Sequence, residues 1–313
     1  MARLAPTRRD LLRGAAGAAS LLAIRDRAPH RFPAGRYVDI HTHLGQRWGT
    51  LGALRAKELL EWMDAREIAQ AVVLPLVSPE AWDIPLSTDF VLRETGPYRD
   101  RLIPFCSIDP RSIHLAGVEP KRALLERYVE AGAKGFGEHK PGVRIDHPGN
   151  VELFQACAEL RLPMLLHLDR IRNIDEPGLP GLTRVLEAVP DGTFIAHAQG
   201  WWASISGAVT PEMMQTYPKE KVAPGGAIDT LLERFPNLYG DLSAGSGANA
   251  IARDPEFGRA FLIRRADQLL FGTDYLRPEQ DVPQFELYRG LNLPQEARAK
   301  IFRGNARKLL GLE

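Results

Sequence analysis

Short apolar runs alternate with segments of helical periodicity along most of the chain, beginning at Tyr37. This alternation is typical of repeated strand–helix units, which place parallel strands side by side in one sheet. The predicted helices carry apolar residues three or four positions apart and include residues 56–66, 118–131, 151–160 and 254–266. The eight predicted strands are residues 37–41, 69–75, 102–108, 133–138, 163–168, 193–197, 238–242 and 268–272.

Eight such strands can close into a barrel or form an open, doubly wound sheet. Polar residues end several of the strands, as in barrel active sites, whereas an open sheet binds its ligand at one crevice. No Gly-x-Gly-x-x-Gly motif follows the first strand. The glycine-rich residues 245–247 follow the seventh strand, where we expect a flexible loop. We therefore predict an α/β fold, a (β/α)8 TIM barrel that forms one domain over residues 36–313.

The net charge and the cysteine content limit which partners and which cross-links we expect. The chain has 40 Lys and Arg against 39 Asp and Glu, a formal net charge of +1. Such a balance supplies no overall field for a polyanion, so nucleic acid is not an expected partner. The two cysteines, Cys106 and Cys157, lie in apolar stretches, and we expect buried free thiols rather than a disulfide.

The first 30 residues differ from the rest of the chain. Arg8 and Arg9 precede a Gly/Ala/Leu-rich run at residues 14–24, which is too short to span a bilayer as a mature helix. A basic start followed by a short apolar region resembles a twin-arginine secretory signal; an amphipathic helix is the alternative. We predict a signal in residues 1–30, recognition by the twin-arginine export machinery, and a periplasmic protein that is membrane-anchored if the signal is not cleaved.

Histidines and one aspartate end four of the predicted strands. His41 and His43 lie two residues apart in the first strand, so their imidazoles can point the same way and bind one metal ion. The fifth, sixth and eighth strands are followed by His167, His197 and Asp274. Because a polar group at the end of a buried run is costly unless something satisfies it, a shared metal ion explains these four strand ends together.

These segments resemble the amidohydrolase superfamily, specifically the amidohydrolase-2 branch of metal-dependent TIM-barrel hydrolases. The resemblance covers nearly all of the chain beyond the signal, through residues 38–43, 237–243, 270–275 and 300–311. It implies that His41 and His43 hold the first metal and that His167 and His197 are ligands. It also implies that Asp274 is both a metal ligand and the catalytic proton carrier.

The fourth strand is the variable one in this superfamily, where members with two metals place a carboxylated lysine or a glutamate. Glu138 resembles the bridging glutamate of TatD-type nucleases and is a predicted metal ligand, with a salt bridge as the alternative. By strand alternation His139 should point away from it. The expected cofactor is a divalent metal, as one or two ions. Zinc suits these ligands, and manganese, iron and cobalt remain open.

Cations that follow strands four, five and eight should surround the barrel mouth. Since arginine binds carboxylates in bidentate fashion, they suit an anionic substrate, although loop arginines are often simply solvated. The predicted substrate-binding residues are Lys140, Arg170, Trp201 and Arg277. Trp201 belongs to a long connection after the sixth strand, residues 199–226, which we expect to be a lid; a surface excursion is the alternative. Asp241, ending the seventh strand, should orient a ligand or cap a turn.

The predicted function is hydrolysis of an amide, ester or lactone bond in a small, carboxylate-bearing molecule by metal-activated water. A divalent ion acidifies water, and Asp274 would pass the proton to the leaving group. The same branch includes decarboxylases of aromatic and related acids, so a metal-dependent lyase is the alternative. A TatD-like phosphodiesterase and a non-catalytic binding protein are further alternatives. The small-molecule substrate is not identified by the sequence, and a homo-oligomer remains open.

Overall fold

The structure, a computed structural model, describes residues 35–47 and 52–312 of the 313-residue chain. The predicted signal segment, residues 1–30, lies outside the described residues. The strands are β1 (Tyr37–Thr42), β2 (Ile68–Val73), β3 (Leu102–Pro104), β4 (Phe136–His139), β5 (Met164–His167), β6 (Phe194–His197), β7 (Leu238–Asp241) and β8 (Leu269–Leu270).

The eight strands are parallel and close into a barrel. β1, β2 and β3 pair in sequence order, as do β4 to β8. Isolated parallel bridges join the two groups, Cys106 with Phe136 on one side and Thr42 with Tyr275 on the other. The predicted (β/α)8 barrel is therefore confirmed.

Helices surround the barrel, and their apolar sides pack on the outer face of the strands. They are α1 (Ala56–Asp64), α2 (Thr88–Thr95), α3 (Val118–Glu130), α4 (Pro148–Glu159), α5 (Pro180–Ala188), α6 (Ala198–Ala203), α7 (Ala227–Arg234), α8 (Ala244–Ala252), α9 (Pro255–Arg264), α10 (Gln284–Gly290), α11 (Gln295–Ala299) and α12 (Asn305–Leu310). In the described part of the chain, no helix combines the length and the apolar character that crossing a membrane requires. Both cysteines are buried with free thiols, as expected.

Strand alternation separates the apolar interior of the barrel from its polar end. Leu165 in β5 and Ile195 in β6 belong to the apolar cluster that fills the interior, and Leu310 of α12 belongs to the same cluster. Side chains two positions apart share a face of a strand. His167 and His197 therefore point into the barrel at the carboxyl ends of the strands, beyond the apolar layer.

β3 and β8 are shorter than predicted. Phe105 and Cys106 still donate to neighbouring backbone, but the next polar positions bond to side chains: the N–H of Ser107 donates to Thr88 Oγ1 at 2.9 Å, and the N–H of Thr273 donates to Asp39 Oδ1 at 3.0 Å. These side chains replace the strand-to-strand hydrogen bonds, so the chain leaves the sheet early at the barrel mouth.

The expectation of a flexible loop at residues 245–247 is wrong, because these residues lie in the first turn of α8. A Cβ added to Gly247 would lie only 2.5 Å from the carbonyl oxygen of Leu242. Glycine is required here because the helix packs closely against the backbone that follows β7.

Candidate metal centre

Four side-chain atoms from β1, β4 and the segment after β8 converge inside the barrel mouth. Nε2 of His41 lies 3.1 Å from Nε2 of His43. Glu138 Oε2 lies 3.5 and 3.3 Å from these two nitrogens, and Asp274 Oδ1 lies 3.3 and 3.4 Å from them. Zinc–ligand bonds of about 2.0–2.1 Å in a tetrahedron place neighbouring ligand atoms about 3.3–3.4 Å apart. The five distances match the spacing between atoms that share one coordination shell, and His41, His43 and Glu138 form a group of metal-ligand type.

The hydrogen bonds of the two imidazoles fix which nitrogen carries the proton. His43 Nδ1 lies 3.0 Å from the carbonyl oxygen of Leu74, which only accepts, so Nδ1 is the donor. His41 Nδ1 likewise donates to Asp241 Oδ2 at 2.7 Å. In the neutral rings, both Nε2 lone pairs therefore face each other, an arrangement that needs a cation between them.

The carboxylate oxygens of this group also lack donors. Asp274 Oδ1 and Glu138 Oε2 are buried and accept no hydrogen bond of normal geometry, although Lys140 Nζ lies 2.7 Å from Oε2. A single proton can join the two imidazoles but leaves both oxygens unsatisfied. One divalent cation satisfies all four atoms, so the residues present fit a metal ion.

The second oxygen of Glu138 faces the remaining two histidines. His167 Nδ1 lies 2.7 Å from Oε1, and His197 Nε2 lies 3.9 Å from it. The two histidines are direct neighbours across β5 and β6. Glu138, His167 and His197 thus form a second group of metal-ligand type around Oε1.

Both groups are held by carboxylates that contact the far side of the imidazoles. Asp241 Oδ2 lies 2.7 Å from His41 Nδ1 and 3.2 Å from His197 Nδ1. Asp169 Oδ2 lies 3.1 Å from His167 Nε2. Such contacts fix the tautomer and orientation of a metal-binding imidazole. Asp241 also accepts the N–H of Ser243 at 2.9 Å, so it both orients ligands and caps the turn.

Electrostatics favour positive charge at the centre. Burial alone would raise the pKa of Glu138, but Lys140 and His41 hold it well below its usual value. Without a metal ion, burial opposes a charge on His41, but Asp274 and Glu138 raise its pKa well above its usual value, so the ring is protonated. Burial likewise opposes ionisation of Asp274, yet the charge of this protonated His41 and contacts with His43 lower its pKa to about 2. Both carboxylates are therefore ionised at neutral pH. The Asp274 side chain is 18% exposed whereas those of Glu138 and His41 are fully buried, so solvent reaches the centre beside Asp274.

The predicted substrate-binding residues are distributed differently. Lys140 reaches the metal centre through its contact with Glu138. Arg170 lies at the mouth after β5 but pairs with Glu176. Arg277 follows β8 and is partly exposed. Their contacts with a substrate stay predictions.

Trp201 is fully buried in the layer between the barrel and its helices. Its Nε1 lies 3.6 Å from a Cβ added to Gly240, which faces away from the barrel interior because the neighbouring Asp241 faces into it. This placement favours a packing role over the predicted contact with substrate.

Three residues near the centre escaped the sequence prediction. Asp169 lies two positions after His167, the spacing that a strand and its extension place on one face, so the pattern His-x-Asp was a usable signal. Ser243 Oγ, 3.0 Å from His197 Nδ1, follows Asp241 in the same way. Tyr217, which contacts α8 beside Gly245, lies within the predicted lid, residues 199–226, but no local pattern distinguishes it from the rest of that segment.

A family model described as Amidohydrolase matches residues 38–312. The chain belongs to the amidohydrolase family. The match spans the whole barrel and every residue of the metal centre, and it confirms the resemblance to the amidohydrolase-2 branch. No curated protein matches the chain.

Solved structures with the same fold include an uncharacterised TIM-barrel protein from Bordetella bronchiseptica, with 19% identity over 88% of this chain and 98% of that one, and a TM-score of 0.61. A putative 2-pyrone-4,6-dicarboxylic acid hydrolase from Pseudomonas putida has 16% identity over 90% and 98%, with a TM-score of 0.60. A 5-carboxyvanillate decarboxylase from Novosphingobium aromaticivorans, solved with manganese and 4-hydroxy-3-methoxy-5-nitrobenzoic acid, has 17% identity over 90% and 98%, with a TM-score of 0.55. At these identities the likeness shows the fold, and the family includes both hydrolases and decarboxylases.

Proposed function

We propose that this amidohydrolase is a metal-dependent hydrolase that opens an ester, lactone or amide bond in a small, carboxylate-bearing molecule. The observation that carries the metal dependence is that the Nε2 atoms of His41 and His43 lie 3.1 Å apart and converge with two buried carboxylate oxygens. A divalent ion bound there supplies acidified water and polarises a carbonyl oxygen. Zinc is our first choice for this donor set, and the manganese in the decarboxylase relative supports manganese as the next.

The exposure and the charge of each residue determine its proposed role in the reaction. Asp274 is the ligand that solvent reaches, so it takes a proton from the attacking water and gives it to the leaving group. Lys140 places a cation 2.7 Å from Glu138, where it can also attract a substrate carboxylate. The relative described as a putative hydrolase of a dicarboxylic pyrone, a cyclic ester, supports a lactone with carboxylate groups as the first substrate class to test.

The second candidate is decarboxylation of an aromatic acid. It is supported by the relative described as a 5-carboxyvanillate decarboxylase, and in this chain it would use the same candidate metal ligands. In that reaction Lys140 and the metal ligands would hold the substrate, and no water would be consumed. A phosphodiesterase is supported only by Glu138 and opposed by the net charge of +1.

The experiment begins with metal analysis of the purified protein after dialysis. Protein loaded with zinc or manganese is then tested against carboxylated lactones, esters and amides, and against aromatic acids with CO2 detection. We expect bound metal and hydrolysis of a lactone or ester without CO2. CO2 release would favour the decarboxylase, and a protein that binds no divalent metal would contradict both.

We also propose export through the twin-arginine route, which rests on Arg8 and Arg9. Replacing both by lysine is expected to retain the protein in the cytoplasm. A variant that still reached the periplasm would contradict this route.

A further inference from the structure

The segment between α6 and α7 contains a compact loop whose two ends lie together. The N–H of Gly207 donates to the carbonyl oxygen of Ala223 at 2.9 Å, and the N–H of Ala223 donates to Ser206 Oγ at 3.0 Å. A loop closed at its neck in this way is an Ω-loop, a kind that often carries function. We call residues 208–222 the mouth loop.

Tyr217 of the mouth loop packs on the beginning of α8. A Cβ added to Gly245 would lie 3.0 Å from Cε2 of Tyr217 and 3.2 Å from its Cζ and Oη. On the same helix, Asn249 Nδ2 donates to the carbonyl oxygen of Pro218 at 2.9 Å. The glycine thus lets the phenol lie close against the first turn of α8.

That first turn adjoins Asp274. The N–H of Ala244, the residue before Gly245, donates to the carbonyl oxygen of Thr273 at 3.4 Å. Thr273 is the residue before Asp274. Burial, and then the negative charge of Asp274, raise the pKa of Tyr217. The residue nevertheless stays 41% exposed. Its ring is therefore anchored on one side and open on another, at the turn of α8 that contacts the backbone next to Asp274.

We propose that Tyr217 is a specificity-determining residue that contacts a substrate bound at the metal centre and selects one with a planar ring. The proposal rests on the proposed function, because it takes the substrate to lie against Asp274. An aromatic face favours flat, unsaturated rings through stacking. The phenol is protonated at neutral pH, as in an ordinary tyrosine, so its hydroxyl can donate a hydrogen bond to a substrate oxygen.

The test measures binding rather than turnover. Manganese-loaded full-length protein is titrated with 4-nitrocatechol, a planar chromophore whose oxygens ligate divalent metals, and the absorbance gives Kd. Tyr217→Phe removes one hydrogen bond and is expected to weaken binding about threefold. Tyr217→Ala also removes the ring and is expected to weaken binding about tenfold.

Tyr128→Phe is the matched control. Tyr128 is a partly buried tyrosine on α3 whose pKa is also raised by burial and by an aspartate, Asp89, but it lies in the outer helical layer. Its substitution is expected to leave the Kd for 4-nitrocatechol unchanged.

Gly245→Ala separates contact with the substrate from support of the loop. The added methyl displaces the ring by a few tenths of an ångström and keeps the hydroxyl, while alanine favours the helix over glycine. We expect Gly245→Ala to weaken binding when Tyr217 is present and to have no effect in the Tyr217→Ala background, because the two residues act through one contact.

Metal content is measured for every variant, since loss of metal would count against the metal centre rather than against Tyr217. The proposal is wrong if the variants keep metal and bind 4-nitrocatechol as the wild type does, or if the metal-loaded wild type does not bind it. A lower Tm with unchanged Kd in Tyr217→Ala would give the residue a structural role only.

Discussion

Two clusters of charged side chains lie at the barrel mouth, and they differ in how their charges are balanced. In the first, the rim cluster, Arg111 lies between Glu80 and Asp109. Its guanidinium donates to both oxygens of Glu80 at 2.7 and 2.8 Å and to both oxygens of Asp109 at 2.9 and 2.7 Å. Each carboxylate of the rim cluster faces a donor, so the cluster is complete without a ligand.

The metal centre is the second cluster, and it has more acceptors than donors. The lone pairs of His41 and His43, with Glu138 Oε2 and Asp274 Oδ1, meet only the ammonium of Lys140 among the described residues. The comparison teaches that buried charge alone does not identify a binding site. A cluster that leaves acceptors unsatisfied has the donor atoms to bind a cation, whereas a balanced cluster ties loops together.

The largest expected effect follows from removing one of the four converging atoms. His43→Asn should weaken metal binding by more than about 100-fold, beyond the range typical for losing an indirect partner of a metal ligand. Affinity is measured by competition with a chromophoric chelator. His114→Asn, in an exposed turn, is the control and should bind metal normally. A His43→Asn protein with wild-type affinity would break the comparison, because His43 would then not belong to the metal-binding group.

Asp274→Asn tests whether the exposed ligand has a role beyond binding. The amide can still offer an oxygen, so we expect metal affinity to fall modestly, whereas turnover of the substrate found in the screen should fall by about 10²–10⁴-fold through loss of the proton acceptor. Single-turnover kinetics and metal content are measured on the same sample. Near-normal turnover would remove Asp274 from proton transfer.

The convergence of the candidate ligands can be predicted from sequence because strand alternation is local. In β5 and β6 the apolar residue that fills the interior and the histidine two positions later share a face, as for Leu165 and His167. Asp169 extends the same pattern. Which residues gather at Oε1 of Glu138 and which at Oε2 depends on how strands far apart in the chain pack together. No residue spacing in the sequence predicts that division.

The sequence did not predict the placement of Trp201 or of the glycines in α8, because in both places a helix closely follows a strand. α6 begins at Ala198, directly after β6, so Trp201 follows helical rather than strand geometry and is buried outside the barrel. The glycines at 245 and 247 look flexible in isolation, but they allow close contacts with Tyr217 and with the backbone of Leu242. These contacts join segments far apart in the chain.

The carboxylates that support the imidazoles should have intermediate effects. Asp241→Asn puts an amide where two Nδ1–H donors, of His41 and His197, need an acceptor, so metal affinity should fall about 100-fold. Asp169→Asn affects His167 alone and should cost about 10-fold. The measurement is chelator competition.

Asp191→Asn, at an exposed position, is the control for these two variants and should bind metal as the wild type does. Equal losses for Asp241→Asn and Asp169→Asn would contradict the distinction between the two groups around Glu138.

The smallest effect belongs to the rim cluster, which should respond to pH rather than to metal. Burial alone would raise the pKa of Asp109, but hydrogen bonds from Arg111 lower it from 3.8 to about 2. A carboxyl whose pKa is lower in the folded protein stabilises it above pH 3.8, and this contribution is lost as the pH falls through about 2. Because Arg111 is 35% exposed, solvent screening reduces the contribution to about 1 kcal/mol.

Urea unfolding of the metal-free protein between about pH 5 and pH 2 measures that contribution, and Asp109→Asn should flatten the loss of stability over this range. Metal affinity at neutral pH should be unchanged in this variant, because the rim cluster is balanced without a cation. If Asp109→Asn instead lost metal as His43→Asn does, the rim and the centre would be one coupled system. The contrast between balanced and unbalanced charge would then no longer identify the site.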